Sequence, residues 1–168
     1  MKRIFCLLLA AILVFAAASC GESVNMSVLT GYQNENFRAE LNIRTGAASY
    51  KAELEKKGER LFLSVTEPRE LAAFTFVLCR EGVLLAADGE EIPVCDGGLL
   101  RLAKIYPLFF VSVAGTWKIE KARPGGVELY VCENGSVCLY IDANSRQPLK
   151  MVCGETEVDV LSFTKHTN

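Results

Sequence analysis

Histidine is almost absent from the sequence: His166, close to the C-terminus, is the single one among 168 residues. Ser-His-Asp and Cys-His nucleophilic sites need an imidazole held in the folded body, and a histidine in a terminal tail does not supply one. No C-x-x-C motif and no Cys/His cluster offers zinc its ligands. Asp88, Glu90 and Glu91 surround Gly89 but lack the ligand spacing of a calcium loop, and an Asp-Gly turn accounts for them. Neither G-x-G-x-x-G nor G-x-x-x-x-G-K-[ST] occurs. No catalytic residue, metal site or cofactor is therefore assigned, and the chain is read as not an enzyme. Basic patches are missing too, which argues against nucleic acid as a partner.

A long apolar run is also lacking. Ile4 to Ala18 carries no charge, but Gly21-Glu22-Ser23 ends the stretch short of the roughly 20 apolar residues of a spanning helix. Two cations at Lys2 and Arg3, an apolar middle and a small-residue exit describe a secretory signal peptide. Cys6 inside that middle is only a small hydrophobe. Two cleavage readings compete. Ala16-Ala17-Ala18 offers an A-x-A exit that would release a soluble secreted protein. Ala17-Ala18-Ser19-Cys20 resembles a bacterial lipobox, whose cysteine is acylated and becomes the first mature residue. Ala17 departs from the leucine usual there, yet a cysteine after the small run and a polar stretch beyond it favour the lipobox. This gives residues 1–19 as signal peptide, 20–34 as lipidated N-terminus and tether, and 35–168 as one domain. The membrane is then a partner through acyl chains on Cys20, each buried methylene contributing about 0.8 kcal/mol. The address is extracytoplasmic, on the outer face of a bacterial cell membrane, or on an outer membrane if the source has one.

Without residues 1–19 about 149 residues remain, enough for a single core. Lys2 and Arg3 leave with the signal peptide, so 16 basic residues face 20 acidic ones, a net charge of −4 interspersed along the chain. Cys79, Cys95, Cys132, Cys138 and Cys153 then make an odd count, which leaves at least one thiol free or bonded to another molecule. Asn134-Gly135 between Cys132 and Cys138 signals a two-residue type I′ hairpin turn. In that register Cys132 opposes Val137, and the two sulfurs point to opposite faces. A three-residue loop would put them face to face. The two-residue turn is the favoured reading, with the thiols as packing residues.

Residues 21–34 are polar with weak periodicity. From Phe37 to Arg44 apolar and polar residues alternate without error, the mark of a strand with one buried face. Tyr50, Ala52 and Leu54 alternate after Thr45-Gly46-Ala47 and complete a hairpin. Arg60 to Thr66 is a third strand, and Pro68 begins a short helical turn. Phe74 to Cys79 and Val83 to Ala87 form a hairpin continued by Glu90 to Val94. The first of these is apolar on both sides, so its second face needs a cover. Asp96 can cap a helix that carries Leu99 to Tyr106, supplies that cover and is interrupted by Pro107. Leu108 to Ala114, very apolar, reads either as helical continuation or as a loop over the sheet. Strands return with Trp117 and Ile119, Val127 to Glu133, Ser136 to Asp142, Pro148 to Cys153 and Thr156 to Phe163. The sum is a mainly β (α+β) fold of about eleven strands with a helical insertion.

Tyr140-Ile141-Asp142-Ala143-Asn144-Ser145-Arg146-Gln147-Pro148-Leu149 is a strand ending in Asp, a short turn, then Pro-Leu and another strand. It resembles a segment of the LolA/LolB lipoprotein-localisation superfamily. Phe37-x-Ala-x-Leu-x-Ile, the Tyr50 strand, and Val65-Thr66-Glu67-Pro68 before Phe74-Thr75-Phe76 resemble the same superfamily in the same order. The resemblance implies an unclosed antiparallel half-barrel, covered by one or two helices that plug its concave side. It also implies a cavity for acyl chains, with a lipid, a lipoprotein or an envelope protein as partner. On this reading Phe37, Leu41, Tyr50, Leu54, Leu63, Phe76, Trp117 and Ile119 line the concave face, and Phe109 and Phe110 belong to the plug. The plain alternative for each is core packing. The chain is shorter than the carriers, and an acyl anchor argues against free shuttling. An envelope-sensing or interaction module with a solid core is the other reading.

Overall fold

The computed structural model describes residues 24–95 and 97–166. The signal peptide, Cys20 and the Asp96 cap lie outside the described residues. Eleven strands form one open antiparallel sheet: β1 Phe37–Thr45, β2 Ala48–Lys57, β3 Arg60–Glu67, β4 Thr75–Cys79, β5 Gly82–Ala87, β6 Glu90–Pro93, β7 Lys118–Ala122, β8 Leu129–Asn134, β9 Val137–Asp142, β10 Pro148–Cys153 and β11 Thr156–Lys165. Their order is β6-β5-β4-β3-β2-β1-β11-β10-β9-β8-β7. Two meanders thus meet where the first strand pairs the last, and β6 and β7 are left at opposite edges. The architecture found has the count of about eleven strands expected from the sequence, in the unclosed half-barrel that the resemblance implies.

Alternation decides which side is the core. Along β1, Phe37, Ala39, Leu41, Ile43 and Thr45 are buried, while Arg38, Glu40 and Arg44 are exposed. Opposite them, Tyr50, Ala52 and Leu54 of β2 and Val158 of β11 share the buried face. Register shifts at Glu40/Leu41, Lys51/Ala52 and Pro148/Lys150 interrupt the ladders. Such bulges increase local twist and curl a sheet. The hydroxyls of Thr45 and Thr156, both buried, pair at 3.0 Å and satisfy one another.

The connection from β6 to β7 has to travel from one edge of the sheet to the other, and it does so across the concave face. A 3-10 turn, Leu99–Ile105, runs directly into a short α-helix, Tyr106–Phe109. The turn touches β4, β5 and β11, and the helix touches β10. Leu102, Ile105, Leu108 and Phe109 are fully buried beneath it. Pro107 does not interrupt this plug. It sits in the first turn of the α-helix, where a missing N–H costs no hydrogen bond. Both readings of Leu108 to Ala114 are realised in part, helix through Phe109 and irregular chain beyond it.

Three further expectations are corrected. The cover for the second face of β4 is not the helix: Val77 is buried on the side away from the plug, between its cross-strand neighbours Phe62 and Leu84. Residues 24–34 do not act as a tether, because an α-helix, Met26–Leu29, and a 3-10 turn, Gly31–Asn34, bury Met26, Leu29 and Tyr32 in the core. Three apolar residues at i, i+3 and i+6 are too few to show as a period. The β8–β9 loop is Gly135-Ser136, one residue later than Asn134-Gly135, with Asn134 paired to Val137. The positive φ rests on Gly135 alone, the pattern of a II′ turn. Cys132 consequently faces Leu139, while Cys138 faces Glu133 on the other side of the sheet, and all five described cysteines are free.

Candidate functional site

The concave face is filled. Phe37 packs against Phe109 with ring centroids 5.6 Å apart and against Phe163 at 4.6 Å. Tyr32 meets Phe37 and Phe163 edge-on at 6.3 and 6.0 Å. Leu41, Tyr50, Leu54, Leu63 and Phe76 lie on the same face and are buried. Phe110 is half-buried and stacks on Tyr106 at 4.5 Å. Trp117 stands just before β7, its Nε1 donating to the Ser112 carbonyl at 3.2 Å, and Ile119 opposes Cys132. The ten named residues thus share one side of the sheet, most of them packed against one another and against the plug. The plug is fastened at its far end: the Gln33 side-chain amide donates to the Val111 carbonyl at 3.0 Å and accepts from the Val111 N–H at 2.9 Å.

What opens is a groove at the β6 end of that face. Leu71 and Phe74 come from the loop after β3, Phe76 from β4 and Leu85 from β5. Ile92, Pro93, Val94 and Cys95 close one wall, and Leu99 of the plug closes the other. The groove encloses about 260 Å³ and is walled almost wholly by carbon. Phe74 and Ile92, 38% and 50% exposed, stand at its rim. Apolar pockets for small ligands usually start near 300 Å³, so this one holds a segment of a ligand. Sequence reasoning named only Phe76 of these residues. The missed signal was Ile92-Pro93-Val94, an apolar run at the end of the edge strand β6, with no neighbour beyond it to cover it.

Two further hollows have a different chemistry. One of about 260 Å³ on the convex side is bordered by Arg38, Glu53, Glu55, Ser64 and Thr75. The other, about 370 Å³, brings Gln33, Asn34, Lys56, Gly58, Glu59 and Phe110 together.

Reactive groups are not gathered at any of these places. Burial pushes the Cys132 thiol up to about 11, with Cys138 adding to the effect, and burial also raises Cys138. Both are neutral packing residues at physiological pH. His166 is exposed at the end of β11, its backbone N–H donating to the Asn36 carbonyl at 2.9 Å. Among the described residues no three His, Cys, Asp or Glu side chains are grouped to hold a metal ion, and no helix is long and apolar enough to cross a membrane.

No family model matches the sequence, and no curated protein matches it. Solved structures do. An uncharacterized conserved protein from Thermus thermophilus superposes with a TM-score of 0.54 at 13% identity, over 84% of this chain and 85% of that one. The shared fold is an open antiparallel half-barrel. A LolA superfamily protein, NE2245 from Nitrosomonas europaea, matches 87% of this chain and 96% of its own at 12% identity and a TM-score of 0.41. MucB in the Pseudomonas aeruginosa MucA/MucB complex covers 83% at 14% identity and a TM-score of 0.44, and the half-barrel spans about half of that chain, 55%. At such identities the likeness concerns the fold and nothing more.

Proposed function

We propose that this protein is a non-catalytic, membrane-anchored module of the bacterial cell envelope that binds an acyl chain or similar apolar ligand. The observation that carries the reading is the carbon-walled groove between β4–β6 and the plug, with Phe74 and Ile92 presented to solvent at its rim. Each methylene taken from water contributes about 0.8 kcal/mol. Five methylenes in the groove therefore contribute about 4 kcal/mol, the scale of millimolar binding. Tighter binding requires the plug to lift, which would uncover Phe37, Leu41, Tyr50, Leu54 and Leu63 beside Phe76, with Phe109, Phe110, Trp117 and Ile119 bordering the opened space. The lipobox-like Ala17-Ala18-Ser19-Cys20 supports acylation at Cys20 and an extracytoplasmic address.

A fluorescent fatty-acid probe tests the groove. Phe74→Asp is expected to weaken probe binding at least tenfold without unfolding the protein, because Phe74 is already part-exposed. Binding unchanged by Phe74→Asp and Ile92→Asp removes the reading. Incorporation of labelled palmitate, absent in Cys20→Ala, tests the anchor. A second reading, an envelope-sensing or interaction module with a solid core, is favoured by the packing of Phe109 against Phe37. It stands if the probe does not bind and amide exchange in residues 99–111 is unaltered by lipid.

A further inference from the structure

Alternation along β2 turns Tyr50, Ala52 and Leu54 to the concave face, and the next residue in that series is Lys56. It lies between the inward positions Phe37 of β1 and Leu61 of β3 and is 3% exposed. An ammonium at such a position is costly unless something compensates it. Its Nζ lies 5.2 Å from the centre of the Phe110 ring, a cation–π contact. Among the described residues its ammonium makes no ion pair and no side-chain hydrogen bond. Leucine or methionine would complete the apolar series at lower cost, so the charge calls for another account.

The surroundings supply one. Lys56 borders the hollow of about 370 Å³ at the β2–β3 end of the half-barrel. Asn34, an exposed residue with an amide side chain, borders the same space, and so does the Phe110 ring. The Gly58 N–H, bound to Asn36 Oδ1 at 3.0 Å, fixes the turn at the mouth. The one carboxylate there, Glu59, is exposed and makes no contact with Lys56 short enough for an ion pair. Burial pushes the Lys56 pKa down, and Glu59 acts in the opposite sense. A buried cation, a neutral donor and an aromatic wall suit an anion attached to something apolar. The single Lys56 cation neutralises one negative charge, and a second would stand uncompensated beside Glu59, which favours a monoanion.

We infer that this hollow receives the singly charged head of an amphiphile, a carboxylate or a phosphodiester, with Lys56 as counter-charge and Phe110 against the first carbons of the tail. The inference rests on the apolar-ligand reading and names the head group that such a ligand carries.

Decanoate, decanol and dimethyl phosphate, titrated while the amide resonances of Gly58 and of the Asn34 side chain are followed, provide the test. Decanoate is expected to shift these resonances. Lys56→Met is expected to weaken that binding at least tenfold while decanol binding stays the same, and Lys56→Arg to retain it. Glu59→Gln, an exposed change that leaves folding intact if Lys56→Met does not, is expected to tighten decanoate two- to threefold. Dimethyl phosphate acting at the same amides in a Lys56-dependent way supports the phosphodiester head. Failure of both anions to shift these amides, equal decanoate binding by Lys56→Met, or weaker binding by Glu59→Gln overturns the proposal. The groove reading fails separately, through resonances of Phe76 and Leu85 and through Phe74→Asp.

Discussion

The Asp142 side chain organises the start of the turn between β9 and β10. Its Oδ1 accepts from the backbone N–H groups of Asn144 and Ser145 at 3.0 and 2.7 Å and from the Ser145 hydroxyl at 2.9 Å. These donors, the Ser145 N–H foremost, hold its carboxyl below the ordinary aspartate value of 3.8. A carboxylate with a depressed folded-state pKa stabilises the fold above its unfolded pKa and loses that contribution as pH falls through the folded value. Asp142→Ala is therefore expected to cost about 1 kcal/mol at pH 7. Urea unfolding should show the gap between the two proteins closing as pH falls below 3.8. The sequence displayed this residue plainly, since an Asx turn is a local arrangement of Asp142 and the three residues after it. Lys56 is the contrary case. Its sequence neighbours show an alternating strand that ends in a lysine, and only Phe37, Leu61 and Phe110 reveal that the lysine is covered.

At the scale of elements, the plug was legible as apolar chain but not as a path. Leu102, Ile105, Leu108 and Phe109 recur at a spacing that a helix of any kind puts on one side. Pro107 looked like a break because a proline in mid-helix removes a hydrogen bond, and the change from 3-10 to α at Tyr106 places it instead in a first turn. The N-terminal helix Met26–Leu29 was hidden by its length, since four residues give no period to read. The plug is anchored by Phe109, which fills the space over Phe37, and by the Gln33–Val111 clasp. Phe109→Ala is expected to destabilise the protein by about 3–5 kcal/mol. Chemical denaturation measures that loss, and amide exchange should rise first in residues 99–111.

For the whole molecule, the pairing of β1 with β11 joins two meanders that would otherwise share only the plug. Neither half covers its own apolar face, so the halves are expected to unfold together. Trp117, the single tryptophan, lies in the β7–β11 half. Its fluorescence and the far-UV circular dichroism of the whole sheet should therefore give superimposable urea transitions. Separate transitions would show two independent units. At this scale the groove is a consequence of the edge: β6 has a neighbour on one side only, so Ile92 is left uncovered next to Phe74 of the β3–β4 loop and the start of the plug.

The sequence by itself determined the strand count, the sidedness of β1 and β2, most hairpins and the lipobox-like start. Each of these is a property of residues within about ten positions of one another, where alternation and turn chemistry act directly. Tertiary structure alone decided that the first strand pairs the last and that the plug crosses the sheet. It also decided that the concave residues are packed, and that the groove opens at Phe74 and Ile92 rather than over Phe37. Those outcomes depend on which distant surfaces bury one another, and a burial free energy roughly proportional to area carries no record of sequence distance.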